Sequence, residues 1–434
     1  MVFFKSIIRA LKLNHIWWKI KKIPPMKQIV AYDKKKKKER QRLYNELHME
    51  EFLHHTLPDA YASCLDLPVD ENKVVFLEPR YETISNSFSE VYNTLEKDYD
   101  FDLKICLLRD VFVSKEEYEQ NCIDMVKEVA TAKYVFLDEA SRPFSSINKR
   151  KETIVTQLWH GCGAFKKFGF STADLIFGSN RESMEKYPFY ANLDYVTVSS
   201  PEVTWAYEEA MMLKDKDTQV VATGVSRTDT FFRESTIKNA FEKLYSLMPA
   251  AKGKKVILYA PTFRGRVRKA KTSDEIDLGA FSAEFSDEYV FLYKHHPIVK
   301  NLPEVPQEYK DFAYDMTNDM SIDELLCVAD ICISDYSSLV FEYSLFERPL
   351  IFFAYDIEEY LDWRGFYYNY DELTPGPVYK TNEEIINYIK NIDTMFDKQQ
   401  IIDFKNKFMC SCDGHATERI LKLTFGDALE AHKK

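Results

Sequence analysis

Short apolar runs recur along the chain, separated by longer stretches of mixed polarity. Val74–Leu77, Leu103–Leu108, Tyr134–Leu137, Ile154–Trp159, Leu175–Phe177 and Tyr195–Val198 form one series. Val256–Tyr259, Tyr289–Tyr293, Ile331–Ile333 and Leu350–Phe353 form a second. Each reads as a strand. Helical spacing of apolar positions lies between them, over 116–132, 236–247, 321–328 and 382–391, and a polar helix is expected over 41–62. Strands alternating with helices predict α/β layering on parallel sheets. The gap between the two series places a domain boundary near 224–250.

Length agrees with two domains: 434 residues exceed one ordinary domain, and 45% hydrophobic content suffices for two cores. Charge changes the picture more. Residues 1–40 hold thirteen Lys and Arg against Asp33 and Glu39, a net +11, which leaves −22 on the rest. An acidic body argues against nucleic acid as a partner. The basic segment interleaves Phe3, Phe4, Trp17 and Trp18 with lysines, and Lys34–Lys38 extend it. No apolar run there reaches the ~20 residues of a membrane span, and no signal-peptide cleavage pattern follows. Aromatic residues beside basic ones suit a helix in the interface of an anionic membrane, ended by Pro24-Pro25. The competing reading is a basic arm docked on the acidic body. The eight cysteines have no disulfide spacing, and Cys106 and Cys332 fall in apolar runs as buried thiols do, which fits a reducing cytosol. Cys410, Cys412 and His415 lack zinc spacing, so no metal site is expected.

Candidate chemistry gathers where strands end. Ile331–Ser334 runs into Asp335-Tyr-Ser-Ser338 and then an apolar helical face from Leu339. Ser337 and Ser338 stand where a helix N-cap belongs, and a helix start suits phosphate. A plain capped strand-to-helix connection is the alternative. His160 ends the strand before Gly161-Cys-Gly163, with Lys166 and Lys167 following. Only 12 glycines occur in the chain, and Gly161, Gly163 and Gly169 fall within nine residues, so a sharp turn or a close approach is expected. A neutral imidazole at such a point can accept a hydroxyl proton, and the lysines can neutralise phosphate. Arg227 and Asp229 follow Gly224. They could contact a ligand or simply pair with each other. Arg264 follows Pro261-Thr262, and His296-Pro297 ends another strand. Tyr355-Asp356, Trp363–Phe366 and Thr374–Pro377 read as loops able to close over a ligand, or as ordinary surface loops.

In order and wording these residues resemble the CDP-glycerol glycerophosphotransferase family of teichoic-acid and capsule polymerases. The resemblance covers roughly residues 70–420 and rests on Trp159-His-Gly161, Gly224 with Arg227 and Asp229, Pro261-Thr-x-Arg264, His296-Pro297 and Asp335–Ser338. It implies a GT-B architecture: an acceptor-side Rossmann-like domain over 41–235 and a CDP-donor domain over 236–434, facing across a cleft. It implies transfer of a polyol phosphate from a CDP-activated donor to a lipid-linked glycan or polyol-phosphate acceptor, with loss of CMP, peripherally at the cytoplasmic membrane face. His160 and His296 map onto the family's essential histidines. Arg264, Ser337 and Ser338 map onto its donor-phosphate contacts. Lys166, Arg227 and Asp335 complete the expected substrate contacts. No cofactor is expected, and a homo-oligomer is left open. Two departures bear on the acceptor and the polyol. The turn Gly161–Lys166 is one residue longer before its lysine than in wall-teichoic members, and Glu342 stands where Asp is common.

The expected chemistry is in-line displacement at the β-phosphorus, with His160 as base and His296 and Arg264 stabilising the pyrophosphate charge. Two rivals share the cleft: a glycosyltransferase using a sugar nucleotide, and a non-catalytic nucleotide-binding partner in a capsule assembly.

Overall fold

The computed structural model describes residues 24–434, apart from 176–177, 266–269, 274, 359 and 361–364. The interfacial helix expected before Pro24 lies outside the described residues, and so do Trp363 and Arg364 of the late loop. The chain divides into two compact units at residues 60 and 61. In the first, Pro24 and Pro25, expected to end a helix, begin one, Pro24–Glu51. Proline is tolerated there because the first turn of a helix has no partner for its N–H groups. Lys34–Lys38 are exposed along its middle. A π-turn, Phe52–Thr56, and the helix Leu57–Ala62 follow, so the helix expected over 41–62 starts much earlier.

The second unit holds two six-stranded sheets. The first contains β1 (Asp70–Glu78), β2 (Asp102–Leu107), β3 (Ala132–Leu137), β4 (Ile154–Gln157), β5 (Tyr195–Thr197) and β6 (Gln219–Val221), in the order β2-β1-β3-β4-β5-β6. The second contains β7 (Lys255–Tyr259), β8 (Tyr289–Tyr293), β9 (Ala313–Asp315), β10 (Ile331–Ser334), β11 (Leu350–Phe353) and β12 (Val378–Tyr379), in the order β12-β11-β10-β7-β8-β9. Every pairing between these strands is parallel. This is the α/β layering expected from the alternating pattern, in the GT-B-like arrangement that the resemblance implied. Central strands covered on both faces bury every side chain, which is why β10 and β11 read as unbroken apolar runs.

Two local readings fail. Leu175–Phe177 was expected to be a strand, but Leu175 lies in a turn: its carbonyl accepts from Gly178 N and its N–H donates to Thr172 O. Three apolar residues are too few to separate a strand from a turn. All eight cysteines are free thiols, and Cys332 is buried in central β10, but Cys106 is only half-buried. It sits on β2, an edge strand with a neighbour on one side only.

Each sheet has a point where the strand order reverses. In the first it lies between β1 and β3, and in the second between β7 and β10. Ligands of open α/β sheets bind outside the carboxyl ends of strands at such points. The last helices do not stay with the second sheet. Ile420, Leu421, Phe425 and Leu429 pack into the core of the first, with Val74, Phe76 and Phe136.

Candidate active site

His160 is placed by the residue before it. Trp159 adopts φ 59°, a left-handed conformation unusual for a large aromatic side chain. Its N–H donates to Gln157 Oε1 at 3.0 Å, and Gln157 Nε2 donates to Glu139 O at 3.0 Å. The chain thus turns sharply off β4. The imidazole Nδ1 comes to 3.0 Å from the carbonyl oxygen of Asp138 and 3.4 Å from Glu139 Oε1. Both partners accept, so the proton of the neutral ring sits on Nδ1. Nε2 keeps its lone pair, the form a general base needs.

His296 has the opposite tautomer. Its Nδ1 accepts from Ile298 N at 3.2 Å, so Nε2 carries the hydrogen. One ring can receive a proton and the other can donate a hydrogen bond. Both line one cleft of about 550 Å³, together with Ser85, Asp138, Arg227 and Asp323.

The acidic wall of this cleft lies at the first sheet's reversal point. Glu78 ends β1 and Asp138 follows β3. Both are buried. Burial, then the nearby Glu78 and Glu139 carboxylates, push Asp138 up to about 8 against the hydrogen bond from Ser85, and burial likewise raises Glu78. Asp138 is therefore mostly a neutral acid at pH 7.

The second sheet's reversal point carries another cluster. Arg264 donates from Nε and Nη2 to Asp356 at 2.6 and 3.0 Å, and its Nη1 lies 2.9 Å from Asp335 Oδ2. Thr262 N and Oγ1 donate to Asp335 Oδ1 at 2.9 and 3.0 Å. Tyr336, Tyr355 and Tyr360 surround the guanidinium at 5.2–5.6 Å. Lys166 Nζ reaches Tyr360 OH at 3.3 Å, which joins the glycine-turn lysine to the Arg264 cluster.

The two halves meet at the glycine turn. A Cβ on Gly161 would lie 4.0 Å from Ser338 Oγ, and one on Gly163 would lie 2.4 Å from the ring of Phe341. Glycine lets the His160 turn lie directly on the helix Leu339–Ser344. Ser338 precedes that helix but makes no side-chain cap bond, and Ser337 Oγ accepts from Leu339 N at 3.5 Å.

His160, His296 and Arg227 thus share the cleft, while Lys166, Arg264 and Asp335 form the neighbouring cluster. Ser338 lies beside the glycine turn. Arg227 does not pair with Asp229. Its guanidinium is clasped by Asp323 and by Glu342, the latter at 2.5 Å, and Asp229 accepts from Ala416 N and Thr417 N at 3.0 and 2.7 Å. Two residues apart in a tight turn, the side chains point to different elements. Glu342 reaches Arg227 from inside the helix. Sequence reasoning missed Asp138 and Glu139. Their signal was a polar pair directly after the Tyr134–Leu137 run. Among the described residues no group of three His, Cys, Asp or Glu side chains is arranged to hold a metal ion.

Known proteins share both the sequence and the fold. The chain is 38% identical over 360 residues to the teichoic acid poly(ribitol-phosphate) polymerase of Bacillus spizizenii, covering 82% of this chain and 56% of that protein, so it spans little more than half of that polymerase. It is 34% identical over 360 residues to the teichoic acid ribitol-phosphate primase of the same organism, covering 82% and 91%. The solved structure of the wall teichoic acid polymerase TagF superposes with a TM-score of 0.70 at 22% identity, covering 90% of this chain and 98% of that one, and so shares the fold. The family of CDP-glycerol:poly(glycerophosphate) glycerophosphotransferases matches residues 60–426, most of the chain, and the protein belongs to that family.

Proposed function

We propose that the protein transfers a polyol phosphate from a CDP-activated donor to a hydroxyl of a lipid-linked surface-polymer acceptor and releases CMP. The observation that carries this reading is the pair of histidines of opposite tautomer lining one cleft. The sheet of β1–β6 takes the acceptor, and the sheet of β7–β12 takes the CDP donor. The acceptor oxygen attacks the β-phosphorus, the bond from that phosphorus to the bridging oxygen breaks, and CMP leaves with the bridging oxygen. The acceptor proton passes to His160 Nε2. His296 Nε2–H donates to the charge that grows on the pyrophosphate. Ser337, Ser338 and Lys166 bind the donor phosphates. Arg264 joins them by exchanging part of its carboxylate clasp for phosphate, and Asp335 positions it. Arg227, held by Asp323 and Glu342, is a substrate contact on the cleft wall. Ribitol and glycerol both fit this chemistry. Ribitol is the polyol named in the relatives at 38% and 34% identity. A capsule or a wall polymer serves equally as acceptor.

The basic segment holds the protein at an anionic membrane. The exposed Lys34–Lys38 row supports this, since each basic residue near such a surface contributes about 1 kcal/mol. Among the described residues no helix is long and apolar enough to cross a membrane.

The test is a donor screen. CDP-ribitol, CDP-glycerol and UDP-sugars are each incubated with a lipid-linked acceptor, and CMP release and product mass are read. CMP release with a CDP-polyol, abolished in His160→Ala, is expected. Turnover with a UDP-sugar alone would establish glycosyl transfer instead. Cosedimentation with anionic vesicles, compared between the full chain and a variant with Lys34–Lys38 changed to glutamine, tests the membrane reading; equal binding by both would refute it.

A further inference from the structure

Glu139 lines the cleft beside His160. Its side chain is only 10% exposed, and the cation that meets it, Arg80 Nη2 at 3.2 Å from Oε2, belongs to a side chain 55% exposed. Exposed arginines contribute little to the stability of an ion pair. The other carboxylate oxygen, Oε1, lies 3.4 Å from His160 Nδ1. The carboxylate is therefore divided between an outer cation and the imidazole.

The neighbouring acids do not duplicate this arrangement. Asp138 meets His160 through its backbone carbonyl, not its side chain. Its carboxyl accepts from Ser85 and is mostly protonated at pH 7. It brings no full negative charge to the ring. Glu78 is committed at Oε1 to Arg80 N and Tyr81 N, which donate to it at 2.9 and 3.1 Å. Glu139 is the side-chain carboxyl that reaches the imidazole.

We propose that Glu139 is a positioning residue for His160: with the Asp138 carbonyl it holds the hydrogen on Nδ1, and its charge stabilises the imidazolium formed when Nε2 takes the acceptor proton. Arg80 keeps the carboxylate turned toward the ring. The sequence places both members at one reversal point, Arg80 just after β1 and Glu139 just after β3, so the sheet itself fixes their spacing. A carboxylate behind a catalytic histidine holds its tautomer and steadies its charged form. The inference rests on the reading of His160 as the base.

The test uses the full chain and the isosteric variant Glu139→Gln, which keeps volume and removes charge. With the CDP-polyol found by the donor screen, kcat should fall roughly ten- to hundredfold while KM for the donor stays within about twofold. The loss stays below the roughly 10⁴-fold seen when a triad carboxylate becomes an amide, because the Asp138 carbonyl still accepts from Nδ1. In a His160→Ala background the same change should cost no further turnover, because the group it acts through is gone. A readout independent of turnover is the ¹⁵N spectrum of histidine-labelled protein, with the His160 signals assigned by their loss in His160→Ala. The intact protein should show a protonated Nδ1 and a bare Nε2, and Glu139→Gln should show a mixture of tautomers. Normal turnover in His160→Ala would overturn the base itself. Loss of turnover in His160→Ala, with Glu139→Gln matching the intact protein in either kcat or tautomer, would overturn the role of Glu139 and leave the base in place.

Discussion

Gly163→Ala should damage the protein through one identifiable contact. Gly163 adopts φ 61°, and an added Cβ would lie 2.4–2.5 Å from three ring atoms of Phe341. Neither side can give way. Gly163 N donates to Ser199 Oγ at 3.0 Å, and Gly163 O accepts from Tyr207 OH at 3.1 Å. The Phe341 ring is fully buried against Phe404 and Phe408, with centroids 5.3 and 5.4 Å away. The left-handed backbone costs an alanine about 1–2 kcal/mol. Overpacking adds about 1–3 kcal/mol, so a total of about 2–5 kcal/mol is expected. Gly253 supplies the control: its φ is 81°, and nothing lies within 4 Å of a Cβ there. Gly253→Ala should lose the backbone part alone. Urea unfolding of both variants at equal slope separates the two contributions, and the difference of about 1–3 kcal/mol belongs to the Phe341 contact. The turn displaced in Gly163→Ala also carries Gly161 away from Ser338, so the KM for the donor should rise in that variant alone. Equal losses from the two substitutions would refute the argument that the glycine turn must lie directly on the Leu339–Ser344 helix.

Arg227→Met should cost about 3–5 kcal/mol, because Asp323 and Glu342 keep their burial and lose their cation; a loss under about 1 kcal/mol in a denaturant melt would show the clasp to be unimportant. Asp138 sets a pH dependence of known sign. Its pKa in the folded chain is about 8 against an ordinary value of 3.8, so across that interval the native state binds a proton that the unfolded chain has released. Stability from this group is fully present below about pH 4 and falls as pH rises toward about 8, by up to about 1.4 kcal/mol per pH unit. Asp138→Asn should flatten the decline in melts at about pH 6, 7 and 8, and an equally steep decline would place the titration on another group. Arg264→Ala and Ser337→Ala should weaken CDP-donor binding by about 1.5–3 kcal/mol and leave acceptor binding nearly unchanged. Calorimetry showing unaltered CDP-donor affinity in both would remove these residues from the phosphate site.

The strands that build the two sheets were legible because parallel strands covered on both faces must be apolar at every position. The same logic failed at Leu175, which lies in a turn, and at β6, β9 and β12, too short to leave a run. The site was legible in part. His160 and His296 stand at strand ends beside breaks in pattern, and the cleft contains both. The partners of Arg227 lie 96 and 115 residues away in sequence, and no local spacing announces them. The tautomers were equally hidden. They depend on the Asp138 carbonyl and the Ile298 N–H, backbone groups that almost every residue carries and that only the fold aims. The clasp on Arg264 joins elements separated by 92 residues, so the sequence could identify the arginine but not that two carboxylates already hold it.

The return of the Ala416–Phe425 helix to the first sheet has a consequence for synthesis. Phe425 packs at 4.3 Å from Tyr134 and 4.6 Å from Phe101, ring centre to ring centre, and Asp229 holds the start of the helix. Those partners are translated roughly 190 to 320 residues before the helix, which is about ten seconds to a minute at ordinary elongation rates. During that interval the earlier sheet waits with an open apolar face while the whole second sheet is still being made. The nascent chain cannot finish its first-translated half first. A holdase that covers Phe101 and Tyr134 during that wait would protect the chain from aggregation until its last long helix arrives.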